Sequence, residues 1–131
     1  MTKVVIARGN LPAAMVPKGL RTLGIELRGR KIVIKPNLIA NRPYPITTPA
    51  ETVEALIEYF MDGNEVIIAE GSGFDDTGAI YRDQGYIELA ERYGVRLVDL
   101  NRDKFEVLKK VDVKVLKKFE FPLTLKDSYL I

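Results

Sequence analysis

The chain has 131 residues, 29% charged and 47% hydrophobic, a composition that fits one ordinary folded domain and not a disordered segment. With 20 Lys and Arg against 18 Asp and Glu, the net charge of +2 argues against a dedicated nucleic-acid binder, whose cations cluster instead of alternating with acids. The chain has neither Cys nor His, which excludes disulfides, thiolate or imidazole metal ligation, a cysteine nucleophile and a Ser-His-Asp triad within it.

In chain order, the first apolar run covers residues 3–7, with no signal-peptide pattern around it. Pro12, Pro17, Gly19 and Gly24 punctuate the next segment, and a helix opening at Pro17 and burying Leu20 and Leu23 is expected there. Further runs at 31–35, 65–70 and 95–100 are short, continuous and rich in Val and Ile, the pattern of parallel strands buried on both faces. The four runs begin 28, 34 and 30 residues apart, close to the length of a βα unit.

The second crossover carries the clearest helix signal. Thr48 is placed to cap it, with Pro49 at the first helical position and Glu51 completing a capping box. Val53, Leu56, Ile57 and Phe60 then form one apolar stripe, and Gly63 ends the helix. The third crossover is split, with a short helix over 75–84, an interruption at Gly85 and a second helix over 86–93.

After Leu100 the pattern changes to alternation. Residues 105–108 and 113–116 read as half-exposed antiparallel strands, and 128–131 as the start of another strand. Lys109, Lys110, Lys117 and Lys118 read first as solvated edge protection, with a nucleic-acid patch the weakest alternative.

Ligands of open parallel sheets bind beyond the carboxyl ends of the strands. The residues there are Arg8-Gly9-Asn10, Lys35-Pro36-Asn37 with Thr47-Thr48-Pro49, Glu70-Gly71-Ser72-Gly73 and Asp99-Leu100-Asn101. Lys35 is a cation at a strand end, and Thr47 and Thr48 sit where a helix N-terminus favours an anion. Gly71 and Gly73 around Ser72 allow close backbone approach. This is no dinucleotide fingerprint, because Asp76 replaces the third glycine, and no Walker A sequence occurs. Glu70, at the end of a buried strand, requires a partner, and Lys35 is the obvious one. A structural pair and a binding pair look alike from sequence. Asp75 and Asp76 add carboxylates that either cap a helix or, with Glu70, meet Mg²⁺ or a basic substrate.

Lys35-Pro36-Asn37-Leu38, Thr47-Thr48-Pro49 leading into Val53-Glu54-Ala55-Leu56, Glu70-Gly71-Ser72-Gly73, and Gly85-Tyr86 with Val98-Asp99-Leu100-Asn101 together resemble the domain of unknown function family 362, from about residue 3 to residue 131. The resemblance implies a Rossmann-like three-layer α/β domain with a mostly parallel sheet and an antiparallel C-terminal extension. Some members carry ferredoxin-type iron–sulfur segments, and the family is distantly similar to the N-terminal part of nickel-dependent lactate racemases. Neither chemistry carries over to a chain without Cys or His. The family also continues past residues 128–131, so the expectation is one α/β domain over 1–131, truncated relative to the family. Residues 1–101 form its βα units and 102–131 its β extension.

The functional expectation is a small anionic molecule bound by Lys35, Asn37, Thr47, Thr48, Glu70, Gly71, Ser72 and Gly73, with no metal and no cofactor in this chain. Lys35 and Glu70 are its acid–base candidates. The alternative is an interaction module forming a homo-oligomer or accepting a C-terminal partner segment through an unfinished sheet edge. Neither nucleic acid nor membrane is an expected partner, a cytoplasmic location is expected, and the composition leans thermophilic.

Overall fold

The structure, a computed structural model, describes residues 2–109, 112 and 114–131. Its strands are β1 (Lys31–Ile34), β2 (Glu65–Glu70), β3 (Arg96–Asp99), β4 (Phe105–Lys109), β5 (Lys118–Pro122) and β6 (Tyr129–Leu130). Its helices are α1 (Pro12–Leu23), α2 (Ala50–Phe60), α3 (Thr77–Asp83) and α4 (Tyr86–Tyr93), with a 3₁₀ turn at Leu123–Leu125. The main sheet has the order β3-β2-β1-β6 with every neighbouring pair parallel, and β4 and β5 form a separate antiparallel hairpin. This is a Rossmann-like α/β architecture.

Alternation along the strands decides what each face meets. Ile32, Ile34, Val66 and Ile68 point into a core completed by Val53, Ile57 and Phe60 of α2, Ile80 and Tyr81 of α3, and Tyr86 and Leu89 of α4. Val33, Ile67 and Ala69 point the other way and pack with Val98, Leu100 and Leu125 of the 3₁₀ turn. All three are fully buried, which is why these strands read as continuous apolar runs.

The α2 stripe forms as expected, but its cap does not. Pro49 occupies the cap position without a side-chain hydrogen bond, because the Thr48 hydroxyl accepts the Asn37 N–H at 3.0 Å instead. The split third crossover matches its sequence signals closely. Asp76 caps α3 by accepting the Ala79 N–H at 2.8 Å, and Gly85, at φ +77°, makes the left-handed turn into α4.

Three expectations need correction. Residues 3–7 form no strand, and Val4 and Ile6 are 81% and 92% exposed. The position beside β1 is taken by β6, and among the described residues no strand pairs with this run. α1 opens at Pro12 rather than Pro17, since a proline lacking its N–H fits the first helical turn, and Pro17 lies within the helix. The partner of β4 is β5, and of the expected run 113–116 only 114–116 lie within the described residues. Residues 114–116 form no strand, Val113 and Lys110 lie outside the described residues, and Phe119 and Phe121 supply the alternation instead.

Two core phenols make the fold sensitive to alkali. The Tyr86 hydroxyl donates to the Thr48 carbonyl at 2.8 Å, and the Tyr81 hydroxyl to the Val98 carbonyl at 2.7 Å. Burial pushes both pKa values well above the ordinary 10.0. The folded state therefore holds protons that the unfolded chain releases. Stability is intact below pH 10 and falls as the pH rises toward the raised folded values, by up to about 1.4 kcal/mol per pH unit for each phenol. Urea melts at rising pH should show this decline, and Tyr86→Phe should flatten it.

Candidate functional site

β1, β2 and β3 end side by side, and their C-terminal residues build one edge. The chain leaves β1 through Lys35, whose backbone N–H donates to the Ile131 carbonyl at 2.8 Å, and buried Pro36 and Leu38 anchor the loop beyond it. Lys35 Nζ lies 2.6 Å from Glu70 Oε1, with the lysine side chain 39% exposed and the glutamate 6%. The Gly71 N–H donates to the same carboxylate oxygen at 2.8 Å. A carboxylate this buried keeps its charge only with such partners. The Tyr81 hydroxyl, from α3, accepts the Glu70 N–H at 2.7 Å while donating to β3, so one buried phenol joins the ends of two strands at the Glu70 backbone.

Two cavities meet at Lys35, Glu70 and Gly71. The larger, about 530 Å³, extends over Asn101 and Arg102 toward the hairpin. The smaller, about 280 Å³, extends over Asn37, Ile39 and Gly73. Two other cavities, about 520 Å³ beside Arg21 and Tyr59 and about 500 Å³ between residues 5–11 and α1, are of similar size. Volume does not separate them. What distinguishes the strand-end pair is a buried carboxylate bonded to a half-exposed cation, together with the strand-end position favoured by this fold.

The remaining expected site residues divide by what their polar atoms already do. Asn37 borders the smaller cavity, but its amide donates to the Ile46 carbonyl at 3.1 Å and its backbone carbonyl accepts the Thr48 N–H at 3.0 Å. Thr47 is buried and donates to the Arg42 carbonyl at 2.7 Å. Neither Thr47 nor Thr48 borders the two cavities; both shape the loop that carries Asn37. Buried Ser72 donates to the Ile39 carbonyl at 2.9 Å, tying the glycine turn to the same loop. Gly73 is exposed and borders the smaller cavity. Gly71 has a steric reason to be glycine: a Cβ there would stand 2.7 Å from Asn101 Oδ1.

The three acidic residues near the turn have separate partners. Glu70 bonds Lys35, the Asp75 carboxylate accepts the Asn41 N–H at 2.7 Å, and Asp76 combines its cap with an ion pair to Arg102 at 2.8 Å. Among the described residues no group of three or more carboxylates is arranged to hold a metal ion.

Asn101, Arg102, Phe105, Glu120 and Pro122 were not among the expected site residues, yet they border the larger cavity. Asn101 had a signal, since it lies just after β3 at the ligand-binding edge. The hairpin residues had none, because only the folded chain brings them to the strand ends.

The family model described as Domain of unknown function (DUF362) matches residues 32–131. The chain belongs to this family. The DUF362 match includes both cavities at the strand ends, while α1 and the segment before it precede it; the likeness read from residue 3 is shown from residue 32. No curated protein and no solved structure matches the chain. Among the described residues, no helix is long and apolar enough to cross a membrane.

Proposed function

We propose that this DUF362 domain, in a cytoplasmic setting, binds a small anionic ligand at the carboxyl edge of its sheet. Lys35 is the anchor, the turn at Gly71, Ser72 and Gly73 provides close backbone approach, and Asn37, Thr47 and Thr48 hold the opposite loop. The observation that carries this reading is the 2.6 Å pair between Lys35 and buried Glu70 at the junction of two cavities. An ammonium has three N–H donors, and one suffices for Glu70. The carboxylate orients the lysine, and the remaining donors are accessible to a phosphate or carboxylate oxygen.

Thermal melts with inorganic phosphate, dicarboxylates and nucleoside phosphates test the proposal. A ligand at about 100 times its Kd should add about 2.7 kcal/mol of stability. The gain should vanish in Lys35→Ala. No shift with any anion, or an equal shift in the variant, would overturn the reading.

A second reading rests on the exposed rim of the sheet. β6 is an edge strand, with Tyr129 and Leu130 43% and 52% exposed, and an uncovered edge is a template for another chain. On that reading light scattering at high concentration should report a dimer or larger species. A strict monomer would count against it.

A further inference from the structure

The larger strand-end cavity has a wall built by the hairpin. β4 and β5 pair with Phe105 opposite Pro122 and Val107 opposite Glu120. Opposed residues, and residues two apart on one strand, share a face. Phe105, Glu120 and Pro122 therefore stand on the same face of the hairpin, and all three border the cavity that Lys35, Glu70 and Gly71 border on the side of the sheet.

The charges in this cavity are not equally available. Arg102 is engaged by Asp76 at 2.8 Å and by Asp99 at 3.4 Å. Asp103 accepts the Thr124 N–H at 2.8 Å, and Glu70 is held by Lys35. Glu120 is exposed, and among the described residues no cation or hydrogen-bond donor is paired with its carboxylate. The cavity thus offers a cation with spare donors on the sheet side and an uncommitted anion on the hairpin side. Phe105, 51% exposed, and Pro122 add an apolar surface to the hairpin side.

We propose that the ligand is an organic anion that also carries an ammonium group, the two charges separated by a flat apolar body. Its carboxylate or phosphate meets Lys35, its ring lies against Phe105 and Pro122, and its ammonium donates to Glu120. This rests on the anionic-ligand reading above and narrows it to a class of compound. A cavity of about 530 Å³ is within the range of small-molecule sites.

The test is a titration of the full chain with 4-(aminomethyl)benzoate, 4-methylbenzoate and inorganic phosphate. The aminomethyl compound should bind about two- to fivefold more tightly than the methyl compound, the effect of one solvent-exposed ion pair. Glu120→Gln, at an exposed position, should abolish that difference without weakening 4-methylbenzoate. Phe105→Ala should weaken both aromatic compounds and leave phosphate unchanged. If the two aromatic acids bind equally and Glu120→Gln is silent, the ammonium contact is wrong while the anion site stands. If only phosphate binds, the aromatic wall is wrong as well. Failure of all three compounds overturns this proposal together with the reading beneath it.

Discussion

Replacing Tyr86 with alanine should destabilise the domain by about 3–5 kcal/mol, the cost of removing a large ring from a filled core. Tyr86 is fully buried, and its ring lies 6.0 Å from that of Tyr81 at an interplanar angle of 45°. Its hydroxyl reaches the Thr48 carbonyl, so α4 is fastened to the loop that precedes α2. Domains of this size have about 5–15 kcal/mol in total, and such a loss consumes much of it. Tyr86→Phe keeps the ring and removes one hydrogen bond, at a cost of about 1 kcal/mol. Urea unfolding of the two variants measures both numbers. A Tyr86→Ala variant within about 1 kcal/mol of the parent would contradict the packing described for this core.

The second large effect concerns Lys35. In Lys35→Ala the Glu70 carboxylate loses its cation and retains the Gly71 N–H. Stripping one partner from a buried ion pair costs about 3–5 kcal/mol. Here the lysine side chain is 39% exposed and water screens part of the interaction, so about 1–3 kcal/mol is expected. Adding Glu70→Gln should recover most of the loss, because a neutral amide no longer needs the cation. Anion binding should not return in the double variant. Stability and binding thus separate: a purely structural pair would regain everything in the double variant and would never have supported an anion-dependent shift in the parent.

Legibility in the sequence tracked the range of the forces involved. The apolar stripe of α2 and the Gly85 break between α3 and α4 rest on neighbours within a few residues, and each appears where its local signals put it. A strand is different, because its hydrogen bonds belong to another segment. Residues 3–7 have the composition of a strand but no adjacent strand, and β6 fills the place beside β1. The hairpin shows the same limit, since residues 113–116 and 119–121 both alternate, and pairing with β4 selects the later run. The Thr48 cap failed through competition: the backbone N–H of Asn37 takes the hydroxyl that the helix would have used. At the site, position at the strand ends was enough to bring out Lys35 and Glu70 as partners. Phe105 and Glu120 reach the same cavity only through the tertiary fold.

The most direct test of the central claim is an amide chemical-shift map of the domain during titration with inorganic phosphate. If Lys35 anchors an anion at the strand ends, the largest changes should fall on Asn37, Gly71, Gly73 and Asn101, and they should disappear in Lys35→Gln. Changes confined to Lys114, Lys117 and Lys118, or a map unaltered at the strand ends while phosphate binds elsewhere, would contradict it.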